Sequence, residues 1–165
     1  MFRHLCRLTL AVVVVLTTTL TLTSSTALAG SSSATGHHGW PVIVHVTVKG
    51  DQGTIFRGFV LTRGQTITTP SGGSHACDGT NNGANPHPGG TPTTALNKAA
   101  LVGGFSWDAD FFPTFDDFLI TEIDGEAQDA DSFWLVSVNG TALQVGGCQF
   151  VLSNFDHVTW ELVDF

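Results

Sequence analysis

Tyrosine is absent from this 165-residue chain, and methionine occurs once. Any aromatic surface must therefore be built from the four Trp and 12 Phe. Basic residues are scarce too, with six Lys and Arg against 14 Asp and Glu. Nucleic acids and anionic membrane surfaces are held by clustered Lys and Arg. The chain has no such cluster, which argues against both as partners. Several catalytic and cofactor signatures are also missing. There is no Cys-x-x-Cys, no His-Glu-x-x-His, no phosphate-cradling loop and no dinucleotide fingerprint. Gly104-Phe105-Ser106-Trp107-Asp108 lacks the closing glycine of a nucleophile elbow.

The N-terminus carries an address. Arg3, His4 and Arg7 precede an apolar core, Leu8 to Leu16, and Ala27-Leu28-Ala29 offers a small-x-small cleavage site. Residues 1–29 read as a secretory signal. A membrane anchor is the alternative, weakened by the Thr- and Ser-rich stretch from Thr17 to Thr26. Cleavage would leave 136 residues with four basic side chains and all 14 acids, a formal charge of −10. That length suits one domain. Residues 30–40 read as a Ser/Gly/His-rich flexible tail, and 41–165 as the single domain.

Cys6 leaves with the signal, so the exported chain keeps Cys77 and Cys148. An even pair in an oxidising compartment points to a disulfide.

Hydropathy patterning organises the rest. Val42, Val44, Val46 and Val48 alternate with Ile43, His45, Thr47 and Lys49, the period-2 pattern of a strand. Gly50 to Gly53 is a turn, and Thr54 to Thr62 continues as a hairpin partner. Gln65 to Thr69 is a short β-prone piece. Pro70 to Pro92 holds ten Gly or Pro in 23 residues and reads as one long loop. Thr91 and Pro92 open a helix with an Ala95, Leu96, Ala99, Ala100 stripe, stopped at Gly103-Gly104. Phe105 to Phe115 reads as an irregular aromatic segment. Asp117 to Ile123, Ser132 to Val138, Leu143 to Leu152 and His157 to Val163 read as strands, with Asn139-Gly140 as a hairpin turn. Trp134 and Trp160 fall on core faces. The fold class is α+β, a mostly antiparallel sheet with one short helix and a long Gly/Pro-rich loop.

Candidate sites are few. His37, His38, His75 and His87 lack metal-ligand spacing, and loop histidines in solvent are the default. Two acidic runs, Asp108/Asp110/Asp116/Asp117 and Asp124/Glu126/Asp129/Asp131, supply oxygens of the kind calcium takes, but neither fits an EF-hand loop. Asp116 and Glu122 could serve glycoside hydrolysis only if they faced each other across a cleft. Asn139-Gly140-Thr141 matches a glycosylation acceptor as well as a tight turn. Trp107, Phe111, Phe112 and Phe115, interleaved with acids, are the candidate ligand platform. The alternative is that they plug one end of the sheet.

Several segments resemble a family. Trp134-Leu135-Val136-Ser137-Val138-Asn139-Gly140, Val145-Gly146-Gly147-Cys148 and Leu152 to Trp160 are similar to the domain-of-unknown-function family related to the C-terminal domain of transcobalamin. Val46 to Gly50, Cys77, Thr94-Ala95-Leu96 and Phe118 to Gly125 fall in matching order. The resemblance covers about residues 42–165. It departs at Phe155-Asp156, where the family usually has Gly-Asp, so the turn before the last strand must differ or hold a bulky residue. The resemblance implies a β-grasp-like exported module. In cobalamin carriers the related domain closes over the ligand from one side, opposite a helical domain that has no counterpart here. It implies no catalytic residue.

The expectation is a secreted, monomeric, non-catalytic domain with no resident cofactor or metal. It binds a small planar or hydrophobic ligand, such as a corrinoid, or an extracellular protein. The alternatives are a secreted polysaccharide hydrolase and a structural extracellular component.

Overall fold

The computed structural model describes residues 39–165. The signal, most of the tail, and His37 and His38 lie outside them. The elements run β1 (Val42–Gly50), β2 (Gly53–Thr62), β3 (Gln65–Thr69), β4 (Gly73–Cys77), α1 (Pro92–Gly103), β5 (Trp107–Phe112), β6 (Asp117–Ile123), β7 (Glu126–Ala127), β8 (Ser132–Val138), β9 (Thr141–Ala142) and β10 (His157–Asp164).

The main sheet has the order β2-β1-β10-β8-β9. Its first and last long strands, β1 and β10, lie parallel at the centre, with Val46 opposite Val158 and Val48 opposite Trp160. The other pairings are antiparallel. A hairpin, a helix and a returning hairpin around a central parallel pair make a β-grasp-like arrangement. The class is α+β, and antiparallel pairing dominates. Two smaller antiparallel sheets, β3-β4 and β5-β6-β7, complete the domain.

Alternation decides which face is buried. Val44, Val46, Val48, Val60, Val158, Trp160, Trp134, Val136 and Val138 point inward. They meet Ala95, Leu96 and Ala99 of α1, and Ile67, Ala109, Phe118, Ile120 and Ile123 of the small sheets, in one core. The opposite face of the main sheet leaves Ile43, Phe59 and Leu61 exposed beside a stacked His45–His157 pair.

The helix forms where its caps place it. Thr91 and Thr94 make a reciprocal capping box, Pro92 occupies the first turn, and Gly104 ends the helix in the left-handed region at φ 75°. Its Thr residues turn inward as well as its alanines: the Thr62 hydroxyl donates to Thr94 Oγ1 at 2.8 Å inside the core.

Three sequence expectations need correction. The Gly/Pro-rich stretch is not one loop, because Gly73–Cys77 pairs with β3 as β4. Side chains hold that pairing where propensity does not: Thr68 and Ser74 hydroxyls lie 2.7 Å apart, and His75 stacks on Phe111. The aromatic segment is not irregular either, since Trp107–Phe112 is paired along β6. Finally, Leu143 to Leu152 is not a strand. Only Thr141–Ala142 pairs with β8, and the chain then runs as turns. The turn before β10 keeps the backbone expected of glycine. Phe155 sits at φ 69°, with its ring in solvent.

Candidate ligand groove

Cys77 and Cys148 are joined, with Cα atoms 4.9 Å apart and a sequence separation of 71. Both are buried. The bond fastens the end of β4 to the segment after β9. Around it, backbone bonds stitch the loops together: Gly79 N–H donates to Cys148 O at 3.0 Å, and Leu152 N–H to Gly90 O at 2.8 Å.

Beside this staple lies an open groove of about 650 Å³. The end of β5, the turn after it and the start of β6 form one wall, with Phe112, Phe115, Phe118 and Leu119. The segment 143–149 forms the other, with Leu143, Val145 and Gly146 among its residues. Phe112 and Phe115 are 43% and 61% exposed, so their rings are spent on the groove and not on the core. Gln149 ties the two walls by donating its side-chain N–H to Phe115 O. The volume is in the range of small-molecule sites, which are mostly apolar with a few fixed polar groups.

Asp117 is the charged group in this lining. It is buried, at 5% exposure. Its Oδ1 accepts from Phe118 N–H at 2.7 Å and from Cys148 N–H at 3.0 Å. Its Oδ2 is buried and has no hydrogen-bond partner. Burial pushes the carboxyl up to about 6, against the two backbone donors, which pull it down, while the neighbouring Asp116 pushes it further up. Space for Oδ2 exists because residue 146 is glycine; a side chain there would overlap it.

The four aromatic residues singled out from sequence divide two and two. Phe112 and Phe115 line the groove. Trp107 and Phe111 are half-buried and pack against the core, Phe111 between His75 and Phe118. Alternation along β5 separates Phe112 from Trp107 and Phe111, and Phe115 lies in the turn that follows. Sequence reasoning missed Asp117, Leu119, Val145 and Gly146 as groove residues. The available signal was an Asp pair, Asp116-Asp117, directly ahead of the apolar Phe118-Leu119-Ile120.

Acids of the two runs weighed for calcium are used within the fold. Asp108 accepts from Ser71 N–H at 3.0 Å and Ser71 hydroxyl at 2.6 Å. Those bonds hold its carboxyl below the usual range, against desolvation. Asp129 accepts from Asp131 N–H and the Ser132 hydroxyl. Asp116 receives Asn82 N–H at 2.7 Å, and Glu126 receives Asp51 N–H at 2.5 Å. Among the described residues, no three of His, Cys, Asp and Glu gather as metal ligands do. Asp116 and Glu122 are not brought together. Asp116 precedes β6 and Glu122 lies near its far end, a separation of roughly 17–20 Å in extended chain, beyond the spacing of glycosidase carboxylates. Asn139 uses its side chain at the turn, bonding Asp156 Oδ1 and His157 N–H.

Comparison with known proteins bears on this same region. Residues 103–164 match the family described as Domain of unknown function (DUF4430). All the groove residues fall inside that match. A crystal structure of a candidate metal-binding protein from Ruminococcus gnavus ATCC 29149 is similar over 75% of this chain and 98% of that one, at 14% identity and a TM-score of 0.44. No curated protein matches the chain. Among the described residues, no helix is long and apolar enough to cross a membrane.

Proposed function

We propose that this is an exported, non-catalytic binding domain that takes a small apolar or planar ligand in the groove beside the disulfide. One observation carries the reading: two phenylalanines, Phe112 at the end of paired strand β5 and Phe115 in the turn that follows, stay exposed on one wall, while the opposite wall is anchored next to Cys148. Exposed aromatics on a fixed concave surface lose little entropy when a ligand covers them. Export is supported by the disulfide and by the signal-like N-terminus. The resemblance to the family of the transcobalamin C-terminal domain makes corrinoids a sensible first class of planar ligand to try.

The test is a thermal-shift screen of the purified protein against corrinoids, aromatic small molecules and glycans, followed by calorimetry. An apolar or planar ligand should raise the melting temperature by a few degrees at saturation. The shift should vanish in a Phe112→Ser/Phe115→Ser double variant, whose exposed rings leave the fold little affected. A panel in which no apolar ligand shifts the wild type, or in which the double variant shifts equally, overturns the proposal.

A further inference from the structure

An apolar groove says nothing about what its ligand carries, but Asp117 does. Four buried side-chain atoms lack a hydrogen-bond partner among the described residues, and of their four residues Asp117 is the one that lines the groove. Leaving a carboxylate oxygen buried and unpaired is costly. The other acids described above spend their oxygens on backbone N–H groups at turns. Asp117 spends only Oδ1 that way, on Phe118 and Cys148. Its second oxygen packs on Gly146, itself a wall residue, and the missing side chain there is what admits it.

Among the described residues, none supplies a counter-charge in the groove lining. Lys49 pairs with Glu161 at 3.2 Å. Neither Lys98 nor Arg57 nor Arg63 lines the groove. The titratable neighbour of Asp117 is Asp116, which adds negative potential. On the facing strand, Asp110 lies opposite Leu119, and the segment 143–149 contains no titratable side chain. The domain as a whole is strongly acidic. A neutral donor would satisfy the free oxygen, but a cation gains from every one of these charges, and an anion loses.

We propose that Asp117 sets the specificity of the groove, and that the ligand is an apolar molecule bearing one protonated amine, drawn to the carboxylate charge in the groove wall. This rests on the groove being the binding site and narrows the class of ligand. Because burial holds the carboxyl near 6, acidification removes the charge that the amine meets. Amine binding strengthens from pH 5 to pH 7.5, while binding of an isosteric alcohol changes little.

Three matched probes test it: 4-phenylbutylamine, 4-phenylbutanol and 4-phenylbutyrate, titrated calorimetrically into the mature domain at pH 7.5 and pH 5. At pH 7.5 the amine should bind at least tenfold tighter than the alcohol, with the carboxylate weakest. The advantage should shrink several-fold at pH 5. Asp117→Asn keeps an acceptor for Phe118 and Cys148, and should abolish the amine preference while alcohol binding persists. The wild-type pH series needs no variant and stands if Asp117→Asn folds poorly. Equal binding of amine and alcohol to wild type at pH 7.5, or an amine preference unchanged at pH 5 or in Asp117→Asn, overturns the inference and leaves the groove reading intact. Failure of all three probes, or equal binding by the Phe112→Ser/Phe115→Ser variant, overturns the groove reading itself.

Discussion

Asp117 makes the folded state sensitive to protons, independently of any ligand. Its folded carboxyl titrates near 6, above the ordinary 3.8. The folded protein therefore holds this proton more tightly than the unfolded chain does. A group with that sign contributes most at acid pH and loses its contribution as pH rises from about 4 to about 6. The shift corresponds to a ceiling of about 3 kcal/mol, reduced by whatever the surroundings relax. At neutral pH the ionised acid is thus a net cost. Urea denaturation of wild type and Asp117→Asn at pH 4.5, 6 and 7.5 reads this directly. The variant should gain stability relative to wild type as pH rises, by about 1–3 kcal/mol across the window. A difference between the two proteins that stays flat with pH would show that Asp117 ionises normally. At this scale sequence is a poor guide. Trp107, Phe111, Phe112 and Phe115 are all aromatic and share one short segment. Only strand alternation and the turn at Pro113 send two to the core and two to the groove.

At the scale of elements, what local rules dictate could be read and what close packing dictates could not. The Val alternation of β1, the capping of α1 by Thr91 and the Asn139-Gly140 turn are each fixed within a few residues, and each stands where the sequence placed it. Gly73–Cys77 has no local reason to be a strand; His75 on Phe111 and the Thr68–Ser74 contact come from elsewhere in the chain. Leu143 to Leu152 shows the reverse. Its apolar residues suggest a strand, but Gly146 and Gly147 bring the backbone against Asp117 on one side, and against Thr93 and Trp160 on the other. That contact is closed by Thr93 N–H donating to Gly147 O at 3.2 Å, which seats the helix start on the loop. A methyl group at residue 147 would overlap the Thr93 hydroxyl and crowd the Trp160 ring. Gly147→Ala should therefore cost about 1–3 kcal/mol, the usual range for overpacking. Chemical denaturation measures it. Wild-type stability in the variant would mean that the segment is free to move away from Trp160.

Over the whole molecule, one covalent bond joins what the sheets do not. The main sheet holds β1, β2, β8, β9 and β10 through backbone ladders, but β4 pairs only with β3. The Cys77–Cys148 bond carries β4 to the chain between β9 and β10, closing a loop with a sequence separation of 71. On the chain-entropy account a loop of that size stabilises the fold by about 4 kcal/mol, a large share of the total for one domain. Cys77→Ser/Cys148→Ser should lower the denaturation free energy by that order. The consequence for the groove is more specific. Cys148 N–H holds Asp117 Oδ1, so releasing Cys148 frees both the acid and the wall it stands in. Reduction should weaken groove ligands even at temperatures where the domain stays folded. Calorimetric titration of an apolar amine, with and without reductant and with folding followed by circular dichroism, separates the two effects. Unchanged affinity in the reduced but folded domain would show that strand pairing alone shapes the groove, and that the disulfide serves stability only.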